Sequence, residues 1–270
     1  MYFFFASRGP RRNSRRYLER ALGRPPTWRD GYRHVHSFCA TVLDRVYLLR
    51  EQFDEFAFEA SGVEAILEPT GRGEGLLACG AHFGSFEALR MVGVDKGLKV
   101  AMIMYEDNAR LINDTLAAIA PNAELHTIPL GRVDAMLALR RWLEDGGLGG
   151  MLADRTCLAT TRSVRRRWSC PFSARRRALP TGRFASPRCC AARSCSWPAC
   201  IAAAIATSLR FSELADFSIA TSAGERDALI AAALARYVET LEALCREAPY
   251  NWFNFFDFWD EDEADAQPRA

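Results

Sequence analysis

Between residues 75 and 153, short apolar runs alternate with segments of helical spacing, and this alternation constrains the fold more than any other feature. The predicted strands span 75–80, 98–105, 124–129 and 148–153, and the predicted helices between them span 85–92, 108–119 and 133–143. Continuous apolar strands separated by helices are typical of a parallel sheet that is covered on both faces. We therefore predict an α/β fold with a largely parallel central sheet flanked by helices.

The segments outside this region are predicted to complete one domain that covers residues 1–270. The chain has 270 residues and an apolar fraction of 49%, which fits a globular domain with an ample core. Thr27 has Asp30 three residues later and is predicted to cap a long helix. The remaining predicted elements are a basic helix, this long helix, a short strand, a last strand and a closing helix, at 11–22, 27–53, 56–59, 209–211 and 225–245.

The first residues, MYFFFA, are apolar but far shorter than a signal core or a membrane span. They are followed by a run of arginines, at Arg8, Arg11, Arg12, Arg15, Arg16 and Arg20. Two interpretations are open: a frayed apolar terminus, or the trailing end of a membrane-contacting helix. We favour the second, because such arginines can face anionic headgroups at about 1 kcal/mol each.

Residues 157–207 differ in composition from the rest of the chain. They contain ten Arg and six Cys but no Asp or Glu, and most of the stretch shows no helical or strand period. Three interpretations compete. A disulfide or metal cluster is disfavoured because no Cys-x-x-Cys pair is present. An arginine-rich arm could bind nucleic acid through phosphates.

The third interpretation, which we favour, is an out-of-frame translation. When residues 183–208 are back-translated with GC-rich codons, the neighbouring frame can be read as PFRLAALLRRPVLFMAGLHRGGNRYE, an amphipathic helix followed by a strand and a turn. Sequencing the coding DNA distinguishes the alternatives. On this interpretation the basic charge does not indicate a nucleic-acid partner, and we predict none.

The segment CGAHFGSFE at 79–87 carries the candidate chemistry. A strand ends there, a glycine-rich turn presents His82, and Ser85 can cap the helix that bears Glu87. A histidine can accept a hydroxyl proton, and a carboxylate behind it can fix its tautomer. The sequence therefore predicts His82 as a general base oriented by Glu87, although the spacing alone is also compatible with a structural histidine.

Five segments together resemble a known family, and one of them, YFFF at 2–5 with RYL at 16–18, is similar to a predicted-acyltransferase branch of it. GAHFGSFE at 80–87 resembles the GHxGxWE block of the bacterial lipid A biosynthesis acyltransferases, which belong to the lysophospholipid acyltransferase superfamily. GMLADR at 150–155 resembles the family's block with an aspartate at a strand end, and ALPTG at 178–182 resembles a short segment that follows. PYNWFNFFDFW at 249–259 resembles its C-terminal aromatic block.

The resemblance implies an α/β acyltransferase at the cytoplasmic face of the bacterial inner membrane. The acyl donor is expected to be an acyl carrier protein or coenzyme A thioester, the acceptor a hydroxyl of a lipid or glycolipid, and no metal or cofactor is expected. By motif position, His82 is the catalytic base and Glu87 its partner. The residues expected to bind substrate are Gly84, Ser85, Asp154, Arg155, Asn251 and Trp252.

Three departures and two alternatives accompany this expectation, and the first departure is that the family's hydrophobic N-terminal helix is almost entirely absent. Phe86 replaces the family's tryptophan, and MYED at 104–107 lacks the arginine that the resemblance would place after this strand. The aromatic block is interrupted by Asn251, Asn254 and Asp257, which suggests a buried wedge whose polar groups hold neighbouring loops, or else a contact with substrate. The alternative functions are a lipid or thioester hydrolase at the same pair and a non-catalytic, arginine-rich nucleic-acid-binding protein.

Overall fold

A computed structural model describes residues 8–56, 59–85, 87–105, 110, 114, 118, 126–130, 133–154, 167–170, 177–180, 198–205, 208–217, 222–256 and 258. The helices are α1 (Arg8–Leu22), α2 (Trp28–Leu49), α3 (Glu64–Gly71), α4 (Ala88–Asp95), α5 (Val133–Glu144) and α6 (Ala223–Glu247). The strands are β1 (Glu59–Ser61), β2 (Leu76–Gly80), β3 (Val100–Tyr105), β4 (His126–Leu130), β5 (Leu148–Leu152), β6 (Arg167–Cys170), β7 (Arg177–Pro180), β8 (Pro198–Ile205) and β9 (Ser208–Asp216).

The central sheet has the strand order β1-β9-β8-β2-β5-β3-β4. All neighbouring strands in it are parallel except β8 and β9, which pair antiparallel. The prediction of an α/β fold with a largely parallel sheet is thus confirmed. β2 and β5 are neighbours, and their register places Gly80 opposite Leu152. This register brings the loops after the two strands together.

Both faces of the sheet are covered by helices, as the continuous apolar strands require. In β2, Leu77 and Cys79 lie in a core cluster with residues of α5 and α6, whereas Leu76 and Ala78 lie in a second cluster with residues of α3 and α4. Successive side chains of a strand point to opposite faces, so a strand that is buried on both faces is apolar along its whole length. From α6, the hydroxyl of Tyr237 donates a hydrogen bond of 2.9 Å to the carbonyl of Gly80, at the end of β2.

A third core cluster closes the carboxyl end of the sheet. It joins α1 residues Tyr17 and Leu18 to Phe83, Trp252 and the end of α6. The hairpin of α1 and α2 is set by a capping box: Thr27 accepts a bond from the backbone N–H of Asp30, and the Asp30 carboxylate accepts one from Thr27. The predicted cap at Thr27 is confirmed, and α2 ends at Leu49, four residues earlier than predicted.

Some predictions are changed and others fall on residues outside the described ranges. Ser85 does not cap α4, which begins three residues later at Ala88 and has no side-chain cap. β9 is longer than the predicted strand at 209–211. Only positions 110, 114 and 118 of the predicted helix at 108–119 are described, and residues 1–7 lie outside the described part. Among the described helices, none is long and apolar enough to span a membrane.

The unusual stretch 157–207 contributes three described strands. β6 and β7 pair antiparallel as a separate two-stranded sheet. β8 lies in the central sheet between β2 and β9. The hypothesis that this stretch is translated out of frame stays a prediction, because a backbone trace does not report the reading frame.

Candidate active site

His82 and Asp154 lie at the carboxyl ends of two neighbouring strands. His82 follows β2 by two residues, and Asp154 follows β5 by two residues. Because Gly80 and Leu152 are register partners, the equal offset places the two side chains face to face. The backbone N–H of Ala153 also donates a bond of 2.8 Å to the carbonyl of Gly80, which continues the pairing one step beyond the strands.

The imidazole of His82 is oriented by the carboxylate of Asp154. Its Nδ1 lies 2.8 Å from Oδ1 of Asp154, and its backbone N–H donates to Oδ2 at 3.0 Å. The ionised carboxylate of Asp154 can only accept here, so Nδ1 carries a proton, and in the neutral ring Nε2 keeps a free lone pair. The His82 side chain is 28% exposed, and no group in the described part of the chain hydrogen-bonds Nε2. The ring therefore presents a basic nitrogen to solvent.

Asp154 is almost completely buried, with 1% of its side chain exposed. Its Oδ2 also accepts a bond of 2.8 Å from the indole Nε1–H of Trp252. Burial alone raises the pKa of this carboxyl. The charge and hydrogen bonds of His82, with the indole N–H, outweigh burial and lower the pKa of Asp154 to about 2. Asp154 is consequently ionised at neutral pH.

The prediction that Glu87 orients His82 is wrong. The Glu87 carboxylate accepts hydrogen bonds from Nε of Arg45, on α2, and from the hydroxyl of Ser85 at 3.0 Å. Its side chain is 5% exposed, whereas that of Arg45 is 39% exposed. Glu87 lies at the start of α4 rather than inside it, and there its charge is matched by the guanidinium of Arg45. Glu87 therefore stabilises the turn and, in the described part of the chain, makes no hydrogen bond to the ring of His82.

The turn after His82 is held by the segment that follows α6. Gly84 has φ +62°, a left-handed backbone conformation that residues other than glycine rarely adopt. Its N–H donates to the carbonyl of Asn251 at 2.9 Å, and the N–H of Phe253 donates to the carbonyl of His82 at 2.8 Å. Phe83 and Trp252 form an isolated antiparallel bridge between these bonds. The aromatic block thus pairs with the His82 turn as a short strand would.

The other side of the same segment is fastened to the α1–α2 hairpin. Three hydrogen bonds join them: the hydroxyl of Tyr250 to Oδ1 of Asp30 at 2.7 Å, Nε2 of His34 to the carbonyl of Trp252 at 2.8 Å, and Nδ2 of Asn13 to the carbonyl of Phe255 at 3.1 Å. The segment has buried aromatic residues as predicted, but its bonds to neighbouring loops come mostly from backbone groups, and Asp257 lies outside the described residues. The side-chain amide of Asn254 is buried and finds no partner in the described part.

His34 is a buried, neutral histidine at the centre of this fastening. A carbonyl can only accept, so Nε2 donates to Trp252, and Nδ1 accepts from the hydroxyl of Ser14 at 2.8 Å. Burial lowers the pKa of His34 to about 4, opposed by the bond to Trp252. Both ring nitrogens are used, so His34 is structural.

The residues predicted to bind substrate separate into three groups. Gly84, Ser85 and Asn251 are partly accessible near His82 and stay candidates for contact. Asp154 and Trp252 are each 3% exposed and lie behind the base, and their predicted contact with substrate stays a prediction. Arg155 lies outside the described residues. Sequence reasoning missed Arg45 and the role of His34, since neither belongs to a motif.

No protein-family description and no curated protein matches the chain. The site geometry and the motif resemblance therefore carry the functional proposal.

Proposed function

We propose that this protein is an acyltransferase in which His82 is the general base. The acceptor is a hydroxyl of a lipid or glycolipid, and the donor is a fatty acyl thioester of coenzyme A or an acyl carrier protein. The single observation that supports this most is the partly exposed His82 ring with its Nδ1 bonded to the buried Asp154 at 2.8 Å. This pair can deprotonate an alcohol, and no serine nucleophile is required.

The reaction is a single displacement of the thiol by the alcohol. Nε2 of His82 takes the hydroxyl proton as the oxygen attacks the thioester carbonyl, and Asp154 stabilises the imidazolium that forms. When the tetrahedral intermediate collapses, the C–S bond breaks and the proton passes from Nε2 to the leaving sulfur. The ester and the free thiol are the products, and His82 and Asp154 return to their starting states.

The surface of the α1–α2 hairpin supports a lipid-surface location. α1 exposes Arg8, Arg11 and Arg15, and α2 exposes Phe38, Val42, Leu43 and Tyr47. Exposed arginines suit anionic headgroups, and exposed apolar side chains suit acyl chains. We propose the cytoplasmic face of the bacterial inner membrane as the location, in keeping with the motif resemblance.

The test is acyl transfer from labelled thioesters to lipid hydroxyls in mixed micelles. His82→Ala is expected to lower kcat by about 10²–10⁴-fold, the usual contribution of a general base. The exposed His36 offers a matched control, and His36→Ala is expected to leave kcat unchanged. Full activity of His82→Ala contradicts the proposed base. Release of free fatty acid in place of acylated lipid would instead indicate a hydrolase at the same site.

A further inference from the structure

The carbonyl and the indole N–H of Trp252 are both hydrogen-bonded, and these bonds run from helix α2 to the candidate base. Nε2–H of His34 donates to the carbonyl of Trp252, and Nε1–H of Trp252 donates to Oδ2 of Asp154, each at 2.8 Å. Oδ1 of Asp154 accepts from Nδ1–H of His82, also at 2.8 Å. His34, Trp252 and Asp154 are all buried, so water does not compete for these bonds.

We infer that Trp252 is a positioning residue for His82 and acts through Asp154. The inference rests on the proposed role of His82 as a base. Oδ2 of Asp154 has two donors, the backbone N–H of His82 and the indole N–H of Trp252, so the carboxylate cannot turn about its Cβ–Cγ bond without losing one. Only Oδ1 is then left to face the ring of His82.

Trp252 is itself held on several sides. Its ring makes edge contacts with the rings of Tyr17 and Phe258, at centroid distances of 5.1 and 5.2 Å. Its backbone is held by the bridge to Phe83 and by the bond from His34. A donor fixed at both the ring and the backbone keeps a defined direction, which a flexible side chain would not.

The indole N–H also weakens the electrostatic attraction between Asp154 and the protonated ring of His82. A hydrogen bond to a carboxylate disperses its charge, and without the bond the carboxylate attracts the imidazolium more strongly. The titratable groups around this carboxylate and its Trp252 donor are His82 from the β2–α4 turn, His34 from α2, Tyr17 from α1 and Cys245 from α6. Of these four groups, only His82 bonds directly to the carboxylate. Its protonation midpoint should therefore change most when the indole bond is removed.

The first test uses diethyl pyrocarbonate, which reacts with unprotonated imidazole, with the modified residues mapped by mass spectrometry. In Trp252→Phe, the pH midpoint of the reaction at His82 is expected to rise by about 0.5 to 1 unit. The variant loses the indole bond to Asp154, so the carboxylate attracts the protonated ring of His82 more strongly. The exposed His36 is the internal reference and should keep its midpoint. The change at His82 should disappear when Asp154→Asn is added.

Trp142 offers a matched control for the loss of an indole. Its Nε1–H donates to the carbonyl of Leu148 at 3.2 Å, on the α5 side of the sheet. Trp142→Phe should leave the His82 midpoint unchanged. No shift or a downward shift in Trp252→Phe overturns the assignment, and so does an equal shift in Trp142→Phe or one that persists beside Asp154→Asn.

Two further measurements keep the inference separate from folding and from the proposed activity. In the unaltered protein, the chemical shift of the Trp252 indole N–H should change with the same pH midpoint as the protonation of His82. An indole chemical shift that does not change over this titration overturns the inference. If acyl transfer is observed, Trp252→Phe should lower kcat on the acidic side of the pH profile and leave KM unchanged. If no transfer is found, the proposed function fails, but the reagent and NMR results still report the positioning.

Discussion

The His82 ring can act as a base at Nε2 only while Nδ1 keeps its proton, and the Asp154 carboxylate holds that proton. Asp154 is suited to the task because two further N–H groups satisfy its other oxygen. Glu87 is also buried and charged, but its partners are Arg45 and Ser85. The two carboxylates near the turn therefore do different work, one on the base and one on the loop.

Asparagine at position 154 should damage the site far more than glutamine at position 87. The amide of Asp154→Asn can turn its NH2 towards Nδ1 and favour the wrong tautomer, so kcat should fall by about 10²–10⁴-fold. Glu87→Gln keeps the shape and should lower kcat by less than about tenfold, equivalent to about 1.4 kcal/mol. Both are measured as kcat for acyl transfer, with thermal unfolding as the folding control. A larger loss of kcat in Glu87→Gln than in Asp154→Asn would indicate that Glu87 orients His82.

At the scale of elements, helix α2 supports the His82 turn at two points. His34 and Arg45 are about three turns apart, which places them on one face of the helix. His34 bonds to the segment after α6, which pairs with the turn, and Arg45 bonds directly to Glu87 at the end of the turn. One rigid helix thus fixes both sides of the loop that carries the candidate base.

Removing the cation from the Arg45–Glu87 pair should destabilise the fold measurably. Arg45→Met leaves a buried carboxylate without its counter-charge, and we expect a loss of about 1–2 kcal/mol in the free energy of unfolding, less than for a fully buried pair because Arg45 is partly exposed. Adding Glu87→Gln should recover much of this. Urea unfolding curves measure both effects.

The exposed pair of Arg210 and Glu247 is the control for a lost arginine charge. Arg210→Met should change the unfolding free energy by about 0.5 kcal/mol or less, since exposed pairs contribute little. If Arg45→Met costs no more than Arg210→Met, then α2 does not stabilise the turn through this pair.

For the whole molecule, the candidate site brings together parts that are far apart in the chain. The sheet supplies His82 and Asp154, the α1–α2 hairpin supplies His34, and the segment after α6 supplies Trp252. The third core cluster joins the same three regions. Loss of the packing in this cluster is therefore expected to remove the site and part of the global stability together.

The protein should lose stability as the pH falls from about 6.5 to about 4. The pKa of His34 is about 4 in the fold, whereas an unfolded histidine titrates near 6.5, so the unfolded chain binds the extra proton first. The expected loss is roughly 3 kcal/mol across this window. Asp154, with its lowered pKa, adds a loss only at lower pH, below about 4.

The check is the urea midpoint measured at several pH values. His34→Gln can keep a donor to Trp252 but cannot titrate, so its stability should vary less between pH 4 and 6.5. The exposed His36 provides the control, and His36→Gln should keep the full dependence. Equal slopes for the unaltered protein and His34→Gln would show that His34 does not cause the acid sensitivity.

Local patterns were sufficient to predict much of the fold. The apolar runs that became β2 and β5, the helical spacing that became α5 and α6, and the capping box at Thr27 all depend on neighbours within a few residues. The glycine turn that carries His82 is equally local, because the left-handed Gly84 is a property of that position. The chain by itself therefore determined the fold class and the candidate base.

The tertiary structure alone decided which carboxylate faces His82. Glu87 is five residues away and Asp154 is 72, so sequence distance favoured Glu87. The order of strands in the sheet made β5 the neighbour of β2, and their register placed Asp154 against the ring. Strand order depends on how helices pack over the whole sheet, which no local pattern encodes. The same non-local packing placed Trp252, His34 and Arg45 around the turn.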